Sequence, residues 1–425
     1  MKLQKYVSIA LLLLLFMFEG MNDTILNSFF PIQAKYQHGI SNSEIAYVMG
    51  IFDLGSIVGF CFWITFSEFA SSYKKGLTLF SGFLTGISVM CFGTLGKISD
   101  KTLFLLFSLF LRFFSGIMSS CMWGPGWAFI SSLGDDKTQS NKLTTVTLTV
   151  MFIGYFGAPF FGTTLFVNFG YGCPFFVIGI CESAISVTLT GYLCLIKVNG
   201  HENDVNNQCI KPLHIFNSIL QPDIFIHAYV LFQSSLLMGF FEATIALYLS
   251  TFSMSVLTIS YIISGSGAIV IFISIISIQL NGKHYKVTNL AGQFIFFISM
   301  VIFSLSFALH STGDVEFAIL GLFLHAIGRG FHNGSGTLVL KHIFHCIFDD
   351  KFKDWATTIS LTLGSVVFFV GRLFGLSVMG GFLIGIIGFN HTIYFLILVA
   401  FLGGLGSFIV FYRITNNCIF KKNVE

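Results

Sequence analysis

Apolar runs of bilayer length recur about twelve times along this chain, with only short polar turns between most of them. They lie near residues 6–30, 42–66, 76–96, 102–131, 143–167, 174–196, 223–250, 257–280, 289–309, 316–340, 355–387 and 392–413. A hydrocarbon core about 30 Å thick needs about 20 apolar residues of helix to cross it. Helices are the expected form, because a helix satisfies its own backbone polar groups where no water reaches. The runs are too long and too evenly apolar for barrel strands. Composition agrees: 10% of the 425 residues are charged, against about 25% in a soluble domain. The expected fold is an all-α polytopic membrane protein of twelve transmembrane helices in two six-helix halves.

Basic residues set the orientation. With the N-terminus cytoplasmic, about sixteen Lys and Arg fall on that side and only Lys35, Lys97 and Lys101 on the other. Both termini are then cytoplasmic. Lys2 and Lys5 before Leu11–Leu15 imitate a signal peptide, but the run continues to Phe30 with no small-residue cleavage site. The longest polar connection separates six spans from six. It sets an N-terminal half at 1–196, a central cytoplasmic loop at 197–222 and a C-terminal half with a short tail at 223–425. The nine cysteines are scattered without a CxxC pair, which supports neither a disulfide framework nor a zinc site.

Charges inside the spans carry the functional information, since a carboxylate or arginine at bilayer depth costs about 2.5–3.5 kcal/mol on insertion scales. Glu19, Asp23 and Asn27 in the first span are spaced i, i+4, i+8 and share one helix face. Phe241-Glu242 in the seventh span answers Phe18-Glu19 in the first. Arg112 in the fourth span answers Arg329 in the tenth. That correspondence is what two equivalent halves would show, with a binding site at their interface. Asp53 and Arg372 are candidates for locking or gating. Glu182, with no polar stripe around it, reads as structural. His342, His345, Asp349 and Asp350 imitate metal-ligand spacing, but they sit among lysines at a helix end and read as a solvated loop. No nucleophile–base pair or histidine box lies within the spans, so no enzyme activity is expected.

The two-half layout resembles the major facilitator superfamily. Arg112-Phe-Phe-Ser-Gly116 is similar to its RxxxG motif. Gly154-Tyr-Phe-Gly-Ala158-Pro159-Phe-Phe-Gly162 resembles its GxxxGPxxGG antiporter motif, with Ala158 and Thr163 in place of glycines. The resemblance gives Gly154, Pro159 and Gly162 a bending and packing role against the eighth span. The loop after the second span, TFSEFASSYKKG, keeps only Glu68, Lys74 and Lys75 of the expected charge motif. Within the superfamily, Phe29-Phe-Pro31-Ile-Gln-Ala34, Gly39-Ile-Ser-Asn-Ser-Glu44 and Phe241-Glu242-Ala-Thr-Ile245 resemble vesicular amine transporters, in particular the polyamine-transporter-like branch. That resemblance implies coupling roles for Glu19 and Glu242. The aspartates of the family's tenth and eleventh spans fall on Asn333 and near Val366.

The resulting expectation is a secondary transporter that exchanges a small cationic amine or polyamine for protons by alternating access. Glu19, Asp23, Glu242, Arg112, Asn333 and Arg329 are the candidate substrate or coupling residues. The implied partners are the solute, the coupling proton and the lipid bilayer, with no nucleic acid, metal or cofactor, and the chain acting as a monomer. The host membrane is vesicular, endomembrane or plasma membrane. Arg329 and Arg372 also admit an anionic or zwitterionic solute, and the degenerate loop after the second span admits a receptor-like member that does not transport.

Overall fold

The computed structural model describes residues 2–134, 137–196, 221–308, 314–347 and 353–422. All regular structure among them is helical. The first half contains α1 (Lys2–Thr24), α2 (Phe30–His38), α3 (Asn42–Thr65), α4 (Ser67–Ser72), α5 (Lys74–Thr94), α6 (Lys101–Cys121), α7 (Trp127–Ser132), α8 (Lys137–Phe169) and α9 (Gly172–Ile196). The second contains α10 (Pro222–Ser250), α11 (Val256–Ala308), α12 (Asp314–Ile347), α13 (Lys353–Leu373), α14 (Ile384–Ile387) and α15 (Phe389–Lys422). Eleven stretches among the described residues are long and apolar enough to cross a bilayer, two of them within α11. The helix α12 completes the twelve.

Several boundaries differ from the hydropathy runs for physical reasons. The first span does not stay helical to residue 30. Its helix ends at Thr24, residues 25–29 form turns, and α2 begins with Pro31 in its first turn. A proline there loses no hydrogen bond, because the first amides of a helix have no intrahelical partner. The eighth and ninth spans form one unbroken helix, α11. The segment after the second span is not a loop: α4 follows α3 after a break at Phe66, and α5 starts after Tyr73. The fourth span passes through a π-helical turn, Met122–Gly126, which holds Pro125. The eleventh does so over Phe374–Leu383, beginning two residues after Arg372. Such widened turns relieve an interrupted hydrogen-bond ladder and recur at functional sites.

Contacts divide the chain into two compact units, Met1–Lys211 with Ala246–Ser264, and Pro212–Ile245 with Gly265–Glu425. In the first unit α1 lies against α8 and α9, α3 against α6, and α5 against α6 and α9. Glycines set these approaches. A Cβ on Gly55 would overlap the Phe113 carbonyl, and one on Gly116 the Phe52 carbonyl. Gly86 and Gly179 meet each other between α5 and α9, and between α1 and α8 a Cβ on Gly20 would overlap the Met151 carbonyl and one on Gly154 the Met17 carbonyl. Small residues at helix contacts suit a solvent in which apolar burial drives no association and close van der Waals packing must do so. The second unit uses the device again: a Cβ on Gly292 would stand 2.9 Å from the Gly328 carbonyl, and one on Gly328 the same from Gly292.

Packing in the first unit is layered along α1. Leu12, Leu15 and Phe16 join Met122, Met151 and Leu189 in one apolar cluster. Toward the other end, Phe29 stacks on Phe166 at 4.9 Å, and Phe92 meets Phe175 at 5.1 Å. Glu19, Asn22 and Asp23 lie on α1 between these two apolar layers.

Candidate functional site

The polar layer of the first unit is built from α1, α3, α6 and α9. Glu19, Asp23, Asp53 and Glu182 are all buried, as is Arg112. Arg112 donates from Nη1 to the Asn22 carbonyl at 3.3 Å and from Nη2 to the Asp23 carbonyl at 3.2 Å. These belong to the last four carbonyls of α1, which have no partner within the helix. The guanidinium also brings positive charge to the negative end of the helix dipole. It lies 4.4 Å from the Phe52 ring, on the residue beside Asp53. Arg112 thus caps the helix that carries Glu19, and the early end of α1 follows from the same contact.

Asn22 Nδ2 donates to Ser115 Oγ at 3.2 Å. One turn along α6, Ser119 Oγ donates to Glu19 Oε1. Glu182 comes within hydrogen-bonding reach of Glu19 from α9. A small cavity adjoins this layer, lined in part by Asn22, Leu26, Ser88, Arg112, Ser115 and Phe175. Asn27 does not extend the stripe of Glu19 and Asp23, because it lies in the turn beyond the end of α1.

The antiporter-like motif on α8 also acts within this unit. Added side-chain carbon on Gly154 would overlap the Met17 carbonyl, and on Gly162 would stand 2.9 Å from Ile25 Cγ1. The Pro159 carbonyl, in α8, accepts a hydrogen bond from Ser28 Oγ at 3.0 Å. The expected packing of these glycines on the eighth span is therefore replaced by packing on the first. The eighth span is met instead by Phe160, whose ring stacks on Tyr261 at 5.4 Å.

In the second unit, Glu242 on α10 pairs with Arg372 on α13, Nε to Oε2, at 2.8 Å. Arg372 is among the largest fully buried side chains of the chain. Arg329 is buried on α12 between His325 and His332. His325 packs between Phe241 and Phe296, with ring centroids 4.7 and 4.9 Å away. His332 Nδ1 lies 3.1 Å from Gln293 Nε2. Asn333 lies on α12, and its side chain is outside the described residues. The side chains of His342 and His345, with Asp349, Asp350 and the 197–220 loop, also lie outside them.

Residues 12–345, most of the chain, match the Major Facilitator Superfamily. The chain belongs to that superfamily. Solved structures of superfamily-like shape agree. A bacterial homolog of the human lysosomal transporter Spinster, inward-facing and occupied, superposes with a TM-score of 0.71 at 12% identity, covering 97% of each chain. Its unoccupied form gives 0.73 at 10% identity, covering 98% of this chain and 99% of that one. A D-xylose-proton symporter gives 0.69 at 14% identity, covering 95% and 97%. At such identities the likeness concerns fold alone. A search of curated proteins returns no match. Membership makes this chain a multi-pass carrier rather than an enzyme.

Arg112, Glu19 and Glu242 stand out in the sequence as ionisable residues at mid-span, and the groups that meet the two glutamates come from other helices. Arg372, a candidate for locking or gating, pairs with Glu242. Glu182, which reads as structural from the sequence, comes within reach of Glu19. The only signal for either was an ionisable residue at mid-span, since the polar groups that meet them come from other helices.

Proposed function

We propose that this transporter exchanges a small organic cation, an amine or polyamine, for protons by alternating access, with Glu19 and Glu242 as its coupling acids. The observation that carries this reading is the charge balance of the first unit. Among the described residues, four buried acids, Glu19, Asp23, Asp53 and Glu182, stand with a single buried arginine, Arg112. Each uncompensated ion in such a dry layer costs several kcal/mol. Protons or a bound ammonium can make up the difference, and each makes the other redundant. That mutual exclusion is the basis of exchange: a proton leaves as the cation binds, and returns as it departs.

Glu242 takes the second role. In this conformation Arg372 compensates its charge. A proton or an ammonium arriving at Glu242 would compete with that arginine, so loading the carboxylate and releasing the pair become one event. The π-helical segment that begins at Phe374 puts an adaptable piece of backbone next to the arginine. In this reading Gly154 and Pro159, which hold α8 close to α1 and the turn that follows it, are where α8 would move on α1.

The test is uptake of a labelled polyamine into proteoliposomes under an imposed pH gradient. Uptake should follow the gradient and collapse in Glu19→Gln and Glu242→Gln. Uptake that ignores the gradient, or survives loss of both glutamates, rejects the reading. One observation favours a second solute class: the second unit buries two arginines, Arg329 and Arg372, and Arg372 pairs with the mid-span acid Glu242. Competition of uptake by carboxylates instead of amines would select an anionic or zwitterionic solute.

A further inference from the structure

We infer that Glu19 and Glu182 hold one proton between them, making Glu182 the second half of the proton site in the first unit. Glu19 is 1% exposed and Glu182 0% exposed, and they reach toward each other from α1 and α9. Ser119 donates to Glu19 Oε1. Glu19 Oε2 and both carboxyl oxygens of Glu182 have no hydrogen-bond donor from the protein. Two bare carboxylates facing each other in a dry site repel strongly, and Arg112 supplies one positive charge against Glu19, Asp23 and Glu182 together. One proton placed between them removes a negative charge and turns an acceptor–acceptor contact into a strong hydrogen bond.

The surroundings agree with this assignment. Facing Glu19 are Asp23 from its own helix, Ser119, Cys121 and Arg112 from α6, and Glu182 from α9. The membrane portions of α5 and α8, residues 76–94 and 148–169, carry no charged side chain. Arg112 is bound to the Asn22 and Asp23 carbonyls near the end of α1. The glycine contact of Gly86 with Gly179 draws α5 against α9 one turn from Glu182, which keeps that carboxyl out of lipid. A small cavity lies next to the pair along α1 and α6. Its lining includes Ser115 and Asn22, one turn from Ser119 and Glu19 respectively.

The bookkeeping of the step involves one proton and no other bond. With the proton in place the pair carries a single negative charge. Loss of the proton leaves two negative charges, a state that a nearby bound cation stabilises. Gain of a second proton leaves a neutral pair. The coupling role of Glu182 rests on the proposed exchange by Glu19, but the shared proton does not.

Infrared spectroscopy of the purified full-length protein in lipid nanodiscs, stepped in pH in water and heavy water, reads the proton without any substrate. The expected result is a protonated-carboxyl C=O band at neutral pH that moves in heavy water. Each of Glu19→Gln and Glu182→Gln should remove that component, because the remaining carboxylate gains an amide donor and loses its charged neighbour. Glu182→Asp should keep it at a shifted position, which guards against a folding artefact. A component untouched by Glu182→Gln in a monodisperse protein overturns the inference. The same variant in proteoliposomes should shift the pH profile of exchange. A changed band with an unchanged profile keeps the shared proton and overturns the role of Glu182 in coupling.

Discussion

Arg372 Nε stands 2.8 Å from Glu242 Oε2, with the arginine side chain 2% exposed and the glutamate 12%. Removing one member of a buried pair strands the other, which typically costs about 3–5 kcal/mol, whereas replacing both with apolar groups is often neutral. Arg372→Met should therefore lower the thermal midpoint of the purified protein sharply. Arg372→Met combined with Glu242→Leu should recover most of the loss. Equal losses in the single and double variants would mean that the pair contributes little.

Arg112 reaches two successive carbonyls at the end of α1, and a lysine has no fork to do so. Arg112→Lys should leave one carbonyl unsatisfied, at a cost of about 1–3 kcal/mol. Transport should fall with it, because the end of α1 positions Glu19 and Asp23. Thermal unfolding and uptake measured on one preparation check both parts. A variant with wild-type stability would remove the capping role.

The broad architecture was legible in the chain because bilayer physics is strict: length and apolarity suffice to count spans, and lysine placement suggests their direction. The depth of Glu19 and Glu242 follows from the same reading. The partners of these acids do not, because periodicity along one helix says nothing about which side of a neighbouring helix will meet it. Glu182 shows the limit most plainly. Ser186 and Thr190 follow it at i+4 and i+8 on its own helix, but the acid that meets it, Glu19, comes from α1. The end of α1 at Thr24 was hidden for a similar reason, since hydropathy continues unbroken through the turn to Pro31.

The α8 glycines differ in what they face. A Cβ on Gly154 would overlap the Met17 carbonyl, while one on Gly157 meets open space. Gly154→Ala should destabilise by about 1–3 kcal/mol through overpacking. Gly157→Ala should be neutral or gain up to about 1 kcal/mol from helix propensity. Paired thermal unfolding measurements test the contrast. Equal effects would remove the α1–α8 contact as the reason for Gly154.

Outside the spans, His38 stacks on Phe104 at 3.8 Å, and its Nε2 has no partner in the protein. Partial burial holds its pKa below the ordinary 6.5. As pH falls through 6.5, the unfolded chain takes up this proton before the folded one does. Its contribution is therefore present above the ordinary value and is lost as pH falls through the folded one. His38→Phe should keep the stack and flatten that part of the stability profile. Thermal midpoints measured across the acid range check the direction, and a slope unchanged by the substitution would assign it to other groups.

The central claim is that solute and proton exchange through the acids of the first unit. The most direct measurement is proton movement itself, read by a pH-sensitive dye trapped in proteoliposomes when a polyamine is added outside. Coupled exchange predicts alkalinisation of the lumen on polyamine entry, abolished in Glu19→Gln. Polyamine entry with no proton movement, or proton movement that persists without Glu19, would contradict it.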